Sequence, residues 1–244
     1  VDRRQRHMCI RDSLRDEADI IIAAELSPKD RYIGIVNAIS EGRTSHKEIY
    51  ERVGIDRTTC TNSLANLGAI GVVGTVHPMM GAPKQPIYRI SDSIVSFCKE
   101  VVAYADSVPL MDAERKYDLL EQRIRSFMGH RFEDMCSDYV VNHWDCLEIG
   151  KWWGPDESRQ IRELDIVATV LEGDVKVSLF GDCKFIGNAY ASSTLREFRR
   201  NIQLTKDDRT QRIVLFSLSG FDDGVRDEAD MGYVTLVGLD ELMG

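Results

Sequence analysis

Two strand-like runs joined by a tight turn constrain the second half of the chain more than any other feature. The runs Arg162–Val170 and Val175–Lys184 are rich in apolar and β-branched residues, a composition typical of buried strands. Between them lies Glu172-Gly173-Asp174, and a short Gly-Asp connection of this kind favours a β-hairpin. The pattern therefore predicts two antiparallel neighbours inside a sheet.

Polar residues fall at one end of this hairpin. Asp182, Cys183 and Lys184 end the second run, and Asp165 lies early in the first. Side chains alternate between the two faces of a strand, so Asp182 and Lys184 share a face that Cys183 does not. If Asp165 lies on the same face, two carboxylates and an ammonium group converge there.

The elements around the hairpin predict a mixed sheet flanked by helices. A hairpin followed by a crossover helix and further strands builds such a sheet. The fold class is therefore α/β (α+β). The flanking elements are a helix His130–Asn142 with Glu133 near its start, a strand Leu147–Trp153, a helix Thr194–Leu204, strands Arg212–Ser217 and Tyr233–Val237, and a closing helix Asp240–Met243.

The first part of the chain has the element order of a winged helix-turn-helix. Ser45 and Glu48 form a capping-box pattern at the start of the middle helix. The Pro- and Gly-containing segment Pro78–Pro86 predicts the loop of a returning hairpin. The predicted elements are helices Pro28–Ile39, His46–Val53 and Arg57–Gly68, then strands Ala69–Val76 and Ile87–Ile90.

The last of these helices has a polar outer face. In a helix-turn-helix the early residues of the final helix meet base edges in the major groove. The candidate nucleic-acid contacts are Arg57, Thr58, Thr59, Thr61 and Asn62 on the helix, and Lys84 on the wing. Alternatively, the Thr residues serve as helix caps and the module contacts protein, as many winged helices do.

Segment boundaries follow from these elements. Helices Ser93–Ala105 and Ala113–Met128, the latter ended by Gly129, are expected to connect the two modules. The expected organisation is an N-terminal helical tail (1–25), a winged-helix domain (26–90), connecting helices (91–128) and a sheet-containing domain (129–244).

Charge and composition exclude several classes of protein. The net charge is −9, but residues 26–90 hold eight basic and five acidic residues, so this span is +3 and the rest −12. Neutralising DNA phosphates requires clustered Lys and Arg, so the overall charge argues against DNA binding by the whole surface, and the uneven charge indicates two modules with different partners. Six scattered cysteines without a C-x-x-C pair argue against a zinc site or a disulfide framework. No apolar run reaches the ~18 residues of a membrane span. We interpret the chain, which starts at Val1, as a fragment of a cytoplasmic protein.

The polar cluster suits metal-dependent phosphodiester cleavage. Mg²⁺ prefers oxygen ligands and keeps several waters, so one or two carboxylates can hold it. Asp165 and Asp182 are therefore candidate ligands for Mg²⁺ or Mn²⁺, and Lys184 is a candidate catalytic residue. Glu133 could join them from the preceding helix. The alternative is a solvated strand end whose ion pairs contribute little.

Several segments together resemble a known family. Ile149-Gly150-Lys151-Trp152-Trp153-Gly154, Glu163-Leu164-Asp165-Ile166-Val167-Ala168 and Leu179-Phe180-Gly181-Asp182-Cys183-Lys184-Phe185 resemble the C-terminal module of archaeal-type AAA+-like (STAND-clade) ATPases. This module is a domain of unknown function related to the PD-(D/E)XK nucleases, with a winged helix before it. The resemblance extends from about Leu26 to the end of the chain.

The resemblance implies roles for four residues. Asp165 and Asp182 would be metal ligands, Lys184 catalytic and Glu133 supporting. Asp182 stands where the family usually has Glu, and Leu164 stands where the motif has proline. The chain has no P-loop motif, so ATP hydrolysis is not expected in it, and residues 1–25 are interpreted as the tail of an ATPase lid.

Two hypotheses of function result. The first is a Mg²⁺-dependent endonuclease-like module that acts on double-stranded DNA under the control of an ATPase domain of the full-length protein. The second is a catalytically inert module that binds DNA or protein for that ATPase. A transcription regulator relying on the winged helix alone is a third, weaker fit. No membrane partner is expected, and the sequence leaves the oligomeric state open.

Overall fold

The computed structural model describes residues 16–80, 85–108, 113–185 and 187–244. The chain divides into two compact units. The first unit consists of Val1–Val76 and Pro86–Phe127, and the second of His77–Gln85 and Met128–Gly244. Both units are therefore assembled from two separate stretches of the chain.

The first unit contains a winged helix-turn-helix. Three helices precede a two-stranded antiparallel hairpin, in which Val73 pairs with Ile90 and Val76 with Ile87. Buried Ile35, Ile49 and Leu67 bring the three helices onto one core. The elements are α1 (16–25), α2 (Lys29–Ser40), α3 (His46–Val53), α4 (Arg57–Ala69), β1 (Val73–Val76) and β2 (Ile87–Ile90).

Local signals in the sequence set the turn between α3 and α4. The predicted capping box is present, because the Ser45 side chain accepts from the Glu48 amide and the Glu48 carboxylate accepts from the Ser45 amide. Gly54 ends α3 with φ 76°, in the left-handed region that glycine adopts without steric cost. Asp56 caps α4 by accepting from the Thr59 amide.

The helices after the wing differ from their predicted limits. A helix broken by a π-helical turn comes first, and its parts are α5 (Ser93–Phe97), the π-helical segment Cys98–Val102 and α6 (Ala103–Ser107). Next is a single helix, α7 (Ala113–His143). The prediction that Gly129 ends a helix is therefore wrong. Glycine inside a helix costs only about 1 kcal/mol, and Phe132, Cys136 and Val140 anchor the next turns in a core.

The second unit is built on a five-stranded mixed sheet of order β3-β4-β5-β6-β7. The pairs β3/β4 and β4/β5 are antiparallel, whereas the pairs β5/β6 and β6/β7 are parallel. The elements are β3 (Asp145–Pro155), β4 (Ile161–Glu172), β5 (Val175–Lys184), α8 (Ser192–Leu204), β6 (Gln211–Ser217), α9 (Asp223–Asp230), β7 (Thr235–Val237) and α10 (Leu239–Met243). The predicted fold class, a winged helix followed by a mixed sheet flanked by helices, is confirmed.

Helices cover both faces of this sheet. On one face, Phe132 and Val140 of α7 pack against residues such as Ala168 and Leu179. On the other face, Leu195 of α8 and Val225 of α9 pack with the remaining strand residues. The sequence does not predict α9, since Val225 is its only buried residue and the helix has little apolar periodicity.

A shift in pairing interrupts the ladder between β3 and β4. Gly150 pairs with Val167 and Trp152 pairs with Leu164. Lys151, the single β3 residue between these pairs, therefore faces two residues of β4. One of these two is Asp165. A β-bulge of this kind redirects a side chain and bends the strand.

In the part of the chain that the structure describes, no helix combines the length and the apolar character needed to cross a membrane.

Candidate functional site

The β4–β5 hairpin brings the two predicted carboxylates together. The last registered pair is Ile166 with Gly181, so Asp165 and Asp182 are the next residues of their strands. The Cys183 amide donates to Asp165 Oδ2 at 3.0 Å. The Tyr190 hydroxyl donates to Asp182 Oδ2. Both carboxylates are thus held by the protein through one oxygen.

Burial and neighbouring negative charge raise the pKa of Asp165. The pKa of Asp165 is raised to about 7, mainly by desolvation and then by the charges of Asp182 and Glu133. The Cys183 amide and the Lys151 ammonium oppose this change. The three carboxyl groups therefore share one electrostatic environment.

The environment of Asp182 is similar. Desolvation raises the pKa of Asp182, and Glu133 acts in the same direction. The hydrogen bond from Tyr190 and the ammonium group of Lys184 lower it. Tyr190 is 1% exposed, so its hydroxyl holds Asp182 from within the core.

Glu133 reaches this cluster from α7 and forms an ion pair there. Lys151 Nζ of β3 donates to Glu133 Oε2, with only 27% of the Lys151 side chain and 23% of the Glu133 side chain exposed. Desolvation lowers the pKa of Lys151, but Glu133 and then Asp165 outweigh it, so the net change is upward. Lys151 is thus a charged ammonium inside the acidic cluster.

Lys184 lies at the exposed end of β5, where it interacts electrostatically with Asp182. Cys183 packs instead into the core beneath α7, as the strand alternation predicts. The structure therefore brings Glu133, Asp165 and Asp182 together and leaves Lys184 at their rim.

Two residues of the cluster are not predicted from the sequence. Lys151 is part of the Gly-Lys-Trp-Trp-Gly segment. The sequence indicates only that this segment forms a strand before the hairpin. The contact of Lys151 with Glu133 depends on how α7 packs. Tyr190 lies in the segment before α8, with no pattern that points toward Asp182.

The donor set suits a cation that retains waters. Among the described residues, no group of three or more His, Cys, Asp or Glu side chains is arranged to hold a metal ion. Asp165 and Asp182 still offer two partly buried carboxylates, and Mg²⁺ is commonly held by one or two carboxylates with water completing its shell. The residues thus fit Mg²⁺ or Mn²⁺ and do not form an all-protein cage.

The first turns of α4 present most of the predicted nucleic-acid contacts to solvent. Arg57, Thr58, Thr61 and Asn62 are exposed. Thr59 is half-buried, and its hydroxyl donates to Asp56 in the helix cap at 2.5 Å. The capping role considered for these Thr residues therefore applies to Thr59.

Thr61 also has partners within the protein. Its hydroxyl donates to the Arg57 carbonyl at 3.0 Å, and it lies 3.0 Å from His46 Nε2 of α3. Burial, and then the charge of Arg57, lower the pKa of His46. Arg57, Thr58 and Asn62 are therefore the more accessible part of this face.

The connection between β1 and β2 has a role that its loop-like sequence does not predict. The Met79 amide donates to the Lys151 carbonyl at 2.8 Å, and the Lys151 amide donates to the His77 carbonyl at 3.2 Å. Residues 77–79 thus extend the sheet beyond β3. Lys84, the predicted wing contact, lies outside the described residues.

The chain thus consists of a winged helix-turn-helix unit and an α/β unit whose five-stranded mixed sheet carries the acidic cluster. A family model, DUF234, described as "Archaea bacterial proteins of unknown function", matches residues 97–195. This range includes Glu133, Lys151, Asp165, Asp182 and Lys184.

A curated relative is similar over much of the chain. An uncharacterized protein of Methanocaldococcus jannaschii, MJECL04, is 24% identical over 185 residues, which covers 70% of this chain and 39% of that protein. The chain therefore spans well under two thirds of the length of this relative.

Three solved structures are among those to which the chain is similar. A homodimeric winged helix-turn-helix DNA-binding domain from Mycobacterium bovis, a possible ArsR-family transcriptional regulator, has 18% identity and a TM-score of 0.28, covering 44% of this chain and 88% of that chain. The MspJI restriction endonuclease in complex with a 27-mer oligonucleotide has 13% identity and a TM-score of 0.35, covering 63% and 39%. The restriction endonuclease FokI bound to DNA has 10% identity and a TM-score of 0.29, covering 89% and 44%.

Proposed function

We propose that the second unit holds a divalent cation and cleaves phosphodiester bonds in duplex DNA. The observation that carries this proposal is that Asp165 and Asp182 are the next residues of β4 and β5 beyond the last registered pair, Ile166 with Gly181. Burial raises the pKa of both carboxyl groups, and the charge of Asp182 raises that of Asp165 further. A cation between them would relieve this repulsion, because opposite charge favours the ionised form.

Asp165 and Asp182 would hold the ion, which is expected to be Mg²⁺ or Mn²⁺. Within the described residues, each carboxylate accepts its hydrogen bond through Oδ2, which leaves Oδ1 of each available to a cation. When bound, the cation would lower the pKa of a coordinated water and offset charge on the phosphate.

Lys184 would act on the substrate side of the site. Its exposed ammonium lies beside Asp182, where it can approach a phosphate oxygen and stabilise developing negative charge. Tyr190 would keep Asp182 oriented through its hydroxyl, and the Cys183 amide would do the same for Asp165. Lys184 would therefore contact the substrate, whereas Tyr190 would position a metal ligand.

The winged helix would place the second unit on DNA. Arg57, Thr58 and Asn62 are exposed at the start of α4, and the span 26–90 carries +3 in a chain of −9. Control by an ATPase domain elsewhere in the full-length protein is a further part of the proposal, supported by the resemblance described above.

Plasmid nicking tests the proposed activity. The protein is incubated with supercoiled plasmid and Mg²⁺ or Mn²⁺, beside Asp182→Asn and Lys184→Ala variants purified in the same way. We expect nicking by the parent and a loss of roughly 10²-fold or more in each variant, the size seen when a stabilising donor is removed.

Lys176→Ala is the matched control, since Lys176 is an exposed lysine at the opposite end of β5. It should nick as the parent does. Equal nicking by the parent and Lys184→Ala would reject the catalytic assignment.

The inert alternative has one observation in its favour. Glu133 forms an ion pair with Lys151, so only Asp165 and Asp182 remain to bind a cation, and Glu133 does not serve as a third ligand. If the parent binds duplex DNA but fails to nick it with either cation, the second unit is a binding module.

A further inference from the structure

The acidic cluster contains an ammonium group that the proposed chemistry does not use. Lys151 Nζ is paired with Glu133 Oε2, and both side chains are about three-quarters buried. Lys151 also interacts electrostatically with Asp165. Lys184, by contrast, is exposed at the rim. The two lysines therefore occupy different parts of the site.

The backbone fixes Lys151 in this position. Its amide donates to the His77 carbonyl at 3.2 Å, and its carbonyl accepts from the Met79 amide at 2.8 Å. On the other edge of β3, Lys151 lies at the register shift that includes Asp165. A flexible surface lysine would have none of these restraints, so the ammonium is held toward the carboxylates.

The position of the Lys151 ammonium group determines how many carboxylates are free to bind a cation. Lys151 contacts Glu133 directly and lies at the register shift that faces Asp165. Without its ammonium group, Glu133 would be a third free carboxylate beside Asp165 and Asp182, and three carboxylates would suit two divalent cations, as in two-metal phosphodiesterases. Lys151 takes the third carboxylate by direct contact. Only Asp165 and Asp182 are then left for a cation, in agreement with the lack of a three-ligand group among the described residues.

We propose that Lys151 is a positioning residue that limits the site to one divalent cation. Its ammonium holds Glu133 as an ion-pair partner and supplies the positive charge that a second metal ion would bring. This inference rests on the proposed cation site at Asp165 and Asp182.

Counting bound Mn²⁺ by isothermal titration calorimetry tests the inference without measuring activity. The parent should bind about one equivalent, and Lys151→Met about two, because the freed Glu133 carboxylate becomes a ligand. Lys151→Met combined with Glu133→Gln should return to about one. Lys151→Arg, which keeps the charge, should remain at about one.

Two controls separate this role from structural damage. Lys176→Met removes an exposed lysine of the same unit and should leave the count unchanged. Glu133→Gln alone should also keep about one equivalent, since Glu133 is not a ligand while Lys151 holds it. That variant tests the inference even if Lys151→Met fails to fold, which circular dichroism would reveal.

The outcomes distinguish the two proposals. A parent that binds one equivalent, with Lys151→Met also at one or below, overturns the inference and leaves the cation site standing. A parent that binds none rejects the cation site, and with it the inference that Lys151 limits that site to one cation, even if Lys151→Met gains one. Binding by neither rejects both, and loss of binding in Glu133→Gln makes Glu133 a ligand and overturns the role of Lys151.

Discussion

The raised pKa of Asp165 should make the free energy of unfolding of the protein depend on pH. The folded protein raises its pKa from 3.8 to about 7, so the folded state holds this proton more tightly than the unfolded chain does. The stabilising contribution is complete below the unfolded pKa and is lost as pH rises through the folded pKa. At ~1.4 kcal/mol for each tenfold change in ionisation constant, the loss is at most about 4 kcal/mol.

Asp165→Asn should remove this dependence. The amide keeps an oxygen to accept from the Cys183 amide but carries no charge. In metal-free buffer, the free energy of unfolding of the parent, measured by urea titration, should fall between about pH 5 and about pH 8, a range that includes the raised pKa of Asp165. It should fall less for the variant.

Asp174→Asn, in the exposed turn between β4 and β5, is the control and should follow the parent. Parallel curves for the parent and Asp165→Asn would show that Asp165 is ionised as readily in the folded state as in the unfolded state. Adding Mn²⁺ at the higher pH should stabilise the parent more than Asp165→Asn, since a ligand that binds only the folded state shifts unfolding by mass action.

Residues within one hairpin were predictable, and their partners from elsewhere were not. The period of two in a strand relates Asp182 to Lys184, and a turn at Gly173 relates both to Asp165. Lys151 depends on a register shift and on α7 packing, neither of which leaves a local pattern. Hydrogen bonds between distant side chains, such as Tyr190 to Asp182, are set by tertiary structure alone.

At the scale of elements, Gly150 allows residues 77–79 to pair with β3. A Cβ atom at this position would lie 2.3 Å from the His77 carbonyl oxygen, closer than any side chain tolerates. Gly150→Ala should therefore separate the two backbones and lower the free energy of unfolding by about 1–3 kcal/mol, the usual cost of overpacking. Urea unfolding of the purified variant measures this.

Gly129→Ala is the matched control. A Cβ at Gly129 meets nothing within 4 Å, and Gly129 lies inside α7. Alanine there should stabilise the protein by about 0.5–1 kcal/mol, since glycine is the weaker helix former. If both substitutions change stability alike, close packing at Gly150 is not what distinguishes the two sites.

The elements also show where sequence patterns were sufficient. The winged helix was predictable because caps at Ser45 and the turn at Gly54 are local signals. The continuity of α7 through Gly129 was not, because packing of Phe132 and Cys136 outweighs the weak helix propensity of one glycine. α9 is not predictable from the sequence, since its single buried residue gives no periodic signal.

At the scale of the whole molecule, charge is divided unevenly along the chain. The span 26–90 is +3 within a total of −9, so we expect DNA affinity to depend on few basic side chains. Arg57→Ala should weaken binding to a short fluorescent duplex roughly 3–10-fold. It should also reduce the salt dependence by about one counterion, as loss of one phosphate contact does. Fluorescence anisotropy at several salt concentrations measures both.

Arg52→Ala is the comparison for charge alone. Arg52 is an exposed arginine of α3 whose Nε lies 2.8 Å from Glu41 Oε2, so its charge is already paired. It should bind DNA nearly as the parent does. Equal losses in the two variants would mean that α4 has no special role in recognition.

The two-part origin of each unit bears on how the protein can be dissected. A fragment that starts at Met128 would lack His77–Gln85, and the outer edge of β3 would lose its neighbour at Lys151. Unpaired strand edges invite association between molecules. Cutting the chain at one peptide bond would therefore yield two incomplete pieces, and a self-sufficient second half requires the short wing segment to be grafted back.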